Sequence, residues 1–368
     1  MSLDRIAVFL LMLSVLVVLH EYGHFIVARL NGVKVTDFAV GFGTTILKWT
    51  SKRSGTTYRL NALPLGGYCQ MKGEDGTSNE AEQQREFRSG AYEPDNFQAK
   101  SALRRLAIIV AGPAMNFVLA LVLLFGVACA FGTPDPHPTT VVGPVIAGGP
   151  ADRAGLRAGD RITKINGVAM RSGEQLIAKI YASAGKTLHI TFVRDGQTRA
   201  VTAVPKLEKV NGKAQGHLDF HPSFPPPTGR GNVIGAASLA WTQFSEIITQ
   251  TLGALGGLFT HPAQAVGNFS GPIGMARVSN EVEGLGLGPY LSFAALISCA
   301  LGIFNLLPIP ALDGGRGVFI LVEMLRGRPV DPEKEALVHV GGFAVLIVLM
   351  LAVSFHDVTA AISGQGPF

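Results

Sequence analysis

The segment that most constrains the fold is Ile6–Leu30, which begins as an uninterrupted apolar run and then contains the pentapeptide HEYGH. A helix that crosses a bilayer needs about 20 predominantly apolar residues. The purely apolar part, Ile6–Leu19, is too short by itself, so a spanning helix must include His20, Glu21 and His24. Ionisable groups inside a membrane are costly, and they usually mark a functional site.

Four segments are long and apolar enough to span a membrane, and the predicted fold class is a polytopic α-helical membrane protein. Of the 368 residues 48% are hydrophobic and 15% are charged, whereas soluble domains carry about 25% charged residues. A cleavable signal peptide is the alternative for the first segment, but its basic n-region is weak and no small-residue cleavage site follows. The predicted spans cover residues 1–31, 105–131, 285–312 and 336–356.

Basic residues predict the orientation of these spans. The connections 32–104 and 313–335 are rich in lysine and arginine, and the positive-inside rule places both in the cytoplasm. The termini, including the tail 357–368, and the segment 132–284 are then expected in the periplasm. A fifth apolar stretch, 233–259, would reverse this arrangement if it spanned, so we predict an interfacial amphipathic helix there, within a 221–284 segment that begins with a linker.

Two regions outside the spans have patterns of their own. The run PAxxAGLxxGDxIxxING at residues 150–167 resembles PDZ domains of bacterial proteases, which predicts a periplasmic α+β PDZ domain over 132–220. PDZ domains bind extended peptide ends by strand addition, so such ends are a predicted partner. Short β-like runs broken by glycines at 38–75 predict a β-hairpin associated with the cytoplasmic face of the membrane, the alternative being an ordinary loop.

HEYGH has the HExxH pattern, in which two histidines four residues apart share one face of a helix. Their imidazoles can converge on one Zn²⁺, and the glutamate between them stays close to the water that the metal activates. A catalytic zinc site needs a third protein ligand. Asp313 ends the third span in the same leaflet, because spans one and three run in the same direction, and we predict it as that ligand. His339, near the start of the fourth span, is the alternative.

Two prolines and two asparagines lie close to this predicted one-zinc site. Pro308 and Pro310 must interrupt the third helix, because proline removes a backbone donor and clashes with the preceding turn. Broken backbone at membrane depth is tolerated where it lines a cavity, and it could pair with an extended substrate. Asn305 and Asn116 are isolated amides in apolar helices, and each either positions a scissile carbonyl or makes an interhelical hydrogen bond.

Together these patterns resemble the site-2 protease family of intramembrane zinc metalloproteases over nearly the whole chain. The resemblance rests on HExxH in the first span, GPxxN at 112–116 in the second and NxxPxPxLDGG at 305–315 in the third. The order of elements is similar to that of bacterial members that regulate sigma factors. One departure is that 132–231 has room for a single PDZ domain, where enteric members carry two.

The resemblance implies a zinc endopeptidase in which His20, His24 and Asp313 bind zinc, Glu21 is the general base and Asn305 helps to hold the substrate. It implies cleavage of single-pass membrane proteins within or beside their span, such as anti-sigma factors already trimmed outside and remnant signal peptides. The expected location is the bacterial inner membrane, with the active site toward the cytoplasmic leaflet. The hairpin and an outer strand near 271–275 are expected to engage the substrate.

Two other classes of function are compatible with the same residues. A metal transporter would use His20, His24, Asp313 and His339 as a path, and a binding protein would sequester membrane substrates without cutting them. Glu21 distinguishes them, since a protease needs it as a base and transport need not. The net charge of +5 comes without a dense lysine or arginine block, so nucleic acid is not an expected partner.

Overall fold

The computed structural model describes residues 3–74, 89, 92–132, 138–210, 213–224, 232–260 and 271–362. The chain forms two compact units, one of residues 129–236 and one of residues 1–128 together with 237–368. Parts of the predicted cytoplasmic connection, of the proline-rich linker and of the C-terminal tail lie outside the described residues.

The described helices are α1 (Leu3–Leu30), α2 (Ala102–Phe131), α3 (Pro150–Arg153), α4 (Gly173–Tyr181), α5 (Val233–Thr260), α6 (Pro272–Glu283), α7 (Leu287–Leu306), α8 (Asp313–Arg326) and α9 (Pro332–Ile362). The described strands are β1 (Val35–Thr50), β2 (Thr57–Met71), β3 (Val142–Val145), β4 (Arg161–Ile165), β5 (Val168–Ala169), β6 (Leu188–Arg194), β7 (Gln197–Ala203), β8 (Lys206–Val210), β9 (Lys213–His217) and β10 (Phe220–Pro222).

Four of the described helices are long and apolar enough to cross a membrane, and they are the four that the sequence predicts: α1, α2, α7 and α9. Helix α7 ends at Leu306, shortly before Pro308 and Pro310, as the prolines require. A new helix, α8, then begins at Asp313 and ends at Gly327, whose φ of +69° is typical of a helix C-terminus. Residues 313–326 of the predicted connection 313–335 therefore form a helix.

The predicted β-hairpin is formed by β1 and β2, which pair antiparallel with several shifts of register. Both strands bend, so that residues 37–40 of β1 pair with residues 67–70 of β2 on one side and with residues 57–60 of β2 on the other. Two of the shifts surround Gly41 and Gly43, whose φ values of +81° and +85° favour glycine. At its base the hairpin packs against α1 through buried Val35 and Met71. Its far end exposes apolar side chains, and exposed apolar groups of this kind indicate a membrane or protein contact.

Helix α5 forms where the sequence predicts a helix, whereas α6 forms where it predicts a strand. The middle of α5 packs Ala240 against Ala120 and Leu124 of α2 and against Ala295 of α7, so this part of the helix lies beside two candidate spans. Residues 272–283 form helix α6, which begins at Gly271 with a proline in its first turn. The expectation of an outer strand near 271–275 was therefore wrong.

The unit 129–236 contains a four-stranded sheet in the order β5-β4-β6-β7, with the pairs β8–β9 and β10–β3 beside it. The run 150–167 supplies α3, β4 and the turn into β5, where Asn166 and Gly167 have φ of +50° and +79° as a tight hairpin turn requires. Helix α4 starts at Ser172, whose side chain accepts from the Gln175 N–H. Strand β10 extends to Pro222, two residues past the predicted end of the PDZ domain.

Candidate metal centre

The two histidines of HEYGH lie one helical turn apart on the buried face of α1. His20 is 6% exposed and His24 is 5% exposed, and their Nε2 atoms are 3.2 Å apart. Two buried imidazoles with their Nε2 atoms directed at one point are typical of a metal site, since an uncompensated polar group at such a position would cost free energy.

Asp313 supplies the third donor atom from the first turn of α8. Its Oδ2 lies 3.1 Å from His20 Nε2 and 3.4 Å from His24 Nε2. Zinc ligands about 2.0–2.1 Å from a tetrahedral centre are separated by about 3.3–3.4 Å, so this triangle fits three corners of a zinc tetrahedron. Among the described residues no other group of three histidine, cysteine, aspartate or glutamate side chains approaches so closely.

The orientation of His24 is set by helix α2. Its Nδ1 lies 2.8 Å from the Ile108 carbonyl oxygen, so Nδ1–H donates there and the Nε2 lone pair is left for a metal. Gly112 makes room for the ring, because a Cβ atom at that position would come within 2.2 Å of His24 Nε2. The glycine of the GPxxN sequence is thus required by the space that a metal-binding imidazole occupies.

The orientation of His20 is set one turn further along α2 by Asn116, which is 0% exposed and whose amide lies 3.2 Å from His20 Nδ1. An amide can be rotated by 180° with little change of shape. With Oδ1 facing the ring, it accepts from Nδ1–H and leaves Nε2 as a metal donor, which gives the buried Oδ1 the partner it otherwise lacks among the described residues. Asn116 is buried between helices, and of the two alternatives that the sequence offers, this contact is the interhelical hydrogen bond, which orients His20. A role in substrate positioning stays a prediction.

Close helix packing at the site depends on glycines beside the ligands. A Cβ atom at Gly23 would lie 2.4 Å from the Ala111 carbonyl oxygen, so α1 and α2 are in close contact between the two histidines. A Cβ atom at Gly314 or Gly315 would lie 2.1 Å or 2.4 Å from backbone oxygens of the preceding loop. The glycines after Asp313 therefore allow the start of α8 to fold back against residues 306–310.

The loop between α7 and α8 carries the predicted prolines. Pro308 is exposed and Pro310 is half-buried, and Asn305 is half-buried just before the end of α7. Ala311 has a φ of +74°, a left-handed conformation that costs a residue with a side chain about 1–2 kcal/mol. His339 lies against this loop, outside the group of ligand atoms, so the structure favours Asp313 over His339 as the third ligand.

Glu21 lies beside the ligand triangle, in a cavity of about 450 Å³ that also contains His24 and Asp313. Its Oε2 accepts from the Cys69 N–H of β2 at 3.0 Å. Residues 68–71 of β2 form one wall of the cavity and residues 311–313 form another. Arg316 and Glu74 form an ion pair that joins α8 to the end of β2 at this cavity.

The contributions of Ile108, Cys69 and the Arg316–Glu74 pair were missed by reasoning from the sequence. The first two act through backbone atoms, which leave no signature in the residue type. The role of Gly112 had a signal, since a glycine and an asparagine four residues apart on a helix share one face.

Comparison with known proteins is consistent with this site. The sequence profile of peptidase family M50 matches residues 8–349. The chain belongs to this family. The zinc metalloprotease RasP of Geobacillus kaustophilus is 31% identical over 424 residues, covering 97% of this chain and 98% of the relative. The regulator of sigma-W protease RasP of Bacillus subtilis is 30% identical over 427 residues, covering 97% of this chain and 99% of the relative.

A solved PDZ domain of an SdrC-like protein from Listeria monocytogenes matches 24% of this chain and 90% of its own length, with 25% identity and a TM-score of 0.19. The predicted membership of the site-2 protease family is confirmed by the family match, and so is the prediction of a zinc metalloprotease. The donor set of two imidazoles and a carboxylate, with triangle edges of 3.1–3.4 Å, fits the zinc that this family implies.

Proposed function

We propose that this M50 peptidase cleaves single-pass membrane proteins within or beside their spanning helix, as a step of regulated intramembrane proteolysis. Substrates would include anti-sigma factors already trimmed outside the membrane and remnant signal peptides. The observation that carries the proposal is the ligand triangle of His20, His24 and Asp313 on candidate membrane helices and their extension, with Glu21 in the same cavity. The name of the Bacillus subtilis relative, a regulator of a sigma factor, supports this class of substrate.

The chain's own residues divide the chemistry between them. One zinc ion per chain, held by the triangle, would supply Lewis-acid polarisation of the scissile carbonyl and activation of a water molecule. Glu21 takes a proton from that water as general base and later delivers it to the leaving amine. The Cys69 N–H holds Oε2 of Glu21 at 3.0 Å, which fixes the carboxylate and leaves Oε1 for the proton.

The substrate would lie extended in the cavity between residues 68–71 of β2 and residues 311–313. Peptide bonds inside a helix are shielded, so a transmembrane substrate must unwind locally before it enters. An extended segment can then pair with backbone in the way that β-strand addition binds peptides. Asn305, in the last turn of α7, and Pro308 and Pro310, in the α7–α8 loop, are proposed to position it next to residues 311–313, which line the cavity.

The proposed topology follows from the distribution of basic residues. The protein would be a multi-pass protein of the bacterial inner membrane, with residues 32–104 and 313–335 in the cytoplasm and the termini outside. The unit 129–236 would then be periplasmic, where a PDZ domain could bind the free peptide end of a trimmed substrate. The active site would face the cytoplasmic leaflet, from which water can enter.

The experiment that tests the proposal compares the wild-type protein with Glu21→Gln. Both are purified in detergent, bound zinc is measured, and cleavage of a single-span test substrate in liposomes is followed. We expect zinc in both proteins and a loss of cleavage of about 10²–10⁴-fold in the variant, the usual contribution of a general base. Glu246→Gln, which changes a carboxylate of α5, is the matched control and should cut normally.

Two results would contradict the proposal. Equal cleavage by wild type and Glu21→Gln would show that Glu21 is not the general base. Wild-type protein without bound zinc would show that the three ligands do not form a zinc site. Zinc uptake into liposomes by both proteins, without cleavage by either, would favour the metal transporter instead, a function that membership of the peptidase family does not favour.

A further inference from the structure

We propose that His339 is a positioning residue of the metal centre, which holds the α7–α8 loop so that Asp313 meets the two histidines. The inference rests on the proposed zinc peptidase function, since it assigns a role at the same site. Among the described residues His339 does not line the cavity, and its Nδ1 accepts a hydrogen bond from Ala311, which does. It therefore acts through the loop and not on the substrate.

The first observation is a hydrogen bond to the residue of the loop that has the least favourable backbone conformation. The Ala311 N–H donates to His339 Nδ1 at 2.8 Å. Ala311 has a φ of +74°, a region that residues with a Cβ atom rarely adopt and that persists only where surrounding contacts enforce it. Two residues later the chain reaches Asp313, so a change at Ala311 would move the ligand.

The second observation is that the same face of α9 touches the loop twice. Gly342 follows His339 by three residues, so the two lie on one side of the helix. A Cβ atom at Gly342 would come within 2.3 Å of Pro310 Cβ, which shows that α9 and the loop are in direct contact there. Pro310 and Ala311 are thus held by adjacent points of one helix.

The third observation is that the imidazole ring is itself fixed. Its Nε2 lies 3.8 Å from Glu335 Oε1, one turn earlier on α9, and its ring centroid lies 5.6 Å from that of Phe319 on α8. Because the Ala311 N–H donates to Nδ1, the proton of the neutral ring is on Nε2, which faces Glu335 at a distance longer than a hydrogen bond. The His339 side chain is 16% exposed, so water competes little for this bond.

The test compares His339→Leu, which keeps the size but removes the acceptor, with His339→Asn, whose Oδ1 can take the place of Nδ1. Zinc per chain, the rate of zinc transfer to a chelator, and kcat and KM on a single-span substrate are measured for the full-length protein. For His339→Leu we expect zinc release to be faster and kcat lower by about 10–100-fold, the usual effect of losing a partner that orients a metal ligand. KM should stay within about twofold, and His339→Asn should recover most of both losses.

The conservative variant separates positioning from simple packing. If His339→Asn is as defective as His339→Leu, or if His339→Leu keeps wild-type zinc release and kcat, the proposal is overturned. Val340→Leu, at the neighbouring position with 67% exposure, is the matched control and should behave as wild type. Inactive or zinc-free wild-type protein would instead refute the proposed function, so the two failures are distinguishable.

A measurement on the unaltered protein serves where His339→Leu does not fold. Hydrogen–deuterium exchange is followed in peptides that contain residues 309–312. Exchange is resolved residue by residue, because the Ile309 and Leu312 amides also donate hydrogen bonds within the loop. We expect the Ala311 amide to exchange slowly, because its N–H is bonded to a half-buried imidazole. Exchange of that amide at the rate of an open loop overturns the proposal.

Discussion

The two units of this protein bury different kinds of side chain. In the unit 129–236 the largest fully buried side chains are apolar, such as Leu176, Ile162 and Phe192. In the larger unit the buried set includes His20, His24 and Asn116, each placed by a specific contact with a neighbouring helix. The first kind of burial is non-directional and depends on area, whereas the second depends on atoms being in particular places. Substitutions of buried residues in the unit 129–236 should therefore lower its free energy of unfolding. Substitutions of the residues that orient the histidines in the larger unit should lower zinc retention and catalytic rate.

The largest effect is expected from Leu176→Ala in α4, which removes a side chain with 0% exposure from the core of the smaller unit. Removal of a buried leucine costs the transfer free energy of the lost methyl groups and leaves a cavity, in total about 2–5 kcal/mol. Urea-dependent proteolysis of residues 129–236 in the full-length protein measures the change. Bound zinc should stay at its wild-type level.

Val168→Ala in β5 is the matched control, because this side chain is 55% exposed and its loss should change the free energy of unfolding by less than about 0.5 kcal/mol. Loss of zinc together with the unfolding of residues 129–236 would contradict the prediction. It would show that zinc binding depends on the apolar core of the smaller unit.

A smaller effect, on zinc binding and catalysis more than on stability, is expected from Gly112→Ala in α2. The added Cβ atom would lie 2.2 Å from His24 Nε2, so the ring or the helix must move. We expect kcat to fall and zinc release to accelerate by about 10–100-fold, as for other changes that misorient a metal ligand. Thermal unfolding should shift only modestly downward, because overpacking costs about 1–3 kcal/mol and the higher helix propensity of alanine offsets about 1 kcal/mol of it.

Gly126→Ala is the control on the same helix, since a Cβ atom at Gly126 would have nothing within 4 Å among the described residues. Both substitutions add one methyl group to α2, so they differ only in what that group meets. Equal activity of the two variants would contradict the prediction, because it would show that the position of His24 does not depend on the absence of a side chain at Gly112.

These pairs also show what the sequence could predict. Local patterns were sufficient for the four candidate spans, for the hairpin and for the end of α7, because hydrophobic runs, alternation and prolines act over short distances. The His20, His24 and Asp313 group was predicted from spacing and from leaflet depth, and the structure brings the three together. Helix α8 was missed although its sequence has an apolar face at helical spacing and a glycine after its last residue, both of which are local signals.

The contacts that orient the ligands could not be read from residue types. Asn116 was correctly recognised as an unusual amide, yet whether it faces a substrate or another helix depends on the rotation of α2. His339 was considered as a ligand because it lies at the right depth, but depth does not specify direction, and the ring points at the Ala311 N–H. Patterns along the chain thus indicate which groups are present, whereas packing between helices decides what each group touches.

The smallest expected effect concerns Asp160, a carboxylate that is buried among the described residues of the smaller unit. Asp160 is 1% exposed and accepts hydrogen bonds from Arg194 Nε at 2.6 Å and from the Arg157 N–H at 2.7 Å. Burial by itself would raise the pKa of Asp160, but the Arg194 and Arg157 hydrogen bonds and the arginine charges outweigh it and hold this pKa below its usual range. The Asp160–Arg194 pair is a specific polar contact like those of the larger unit, but it should contribute to stability and not to catalysis.

The sign of the pH dependence follows from that depressed pKa. In the unfolded chain Asp160 binds its proton at a higher pH than in the folded protein, so the stability it contributes is present above about pH 4 and is lost as the pH falls further. We expect Asp160→Asn to lower the free energy of unfolding by about 1.5 kcal/mol at pH 7, near the low end for hydrogen bonds to charged groups. Urea unfolding of residues 129–236 in full-length protein between pH 7 and pH 3 should show the two proteins converging at the acid end. A difference in unfolding free energy that stays constant over this range would contradict the prediction. It would mean that the charge of Asp160 does not contribute to the stability of the folded unit.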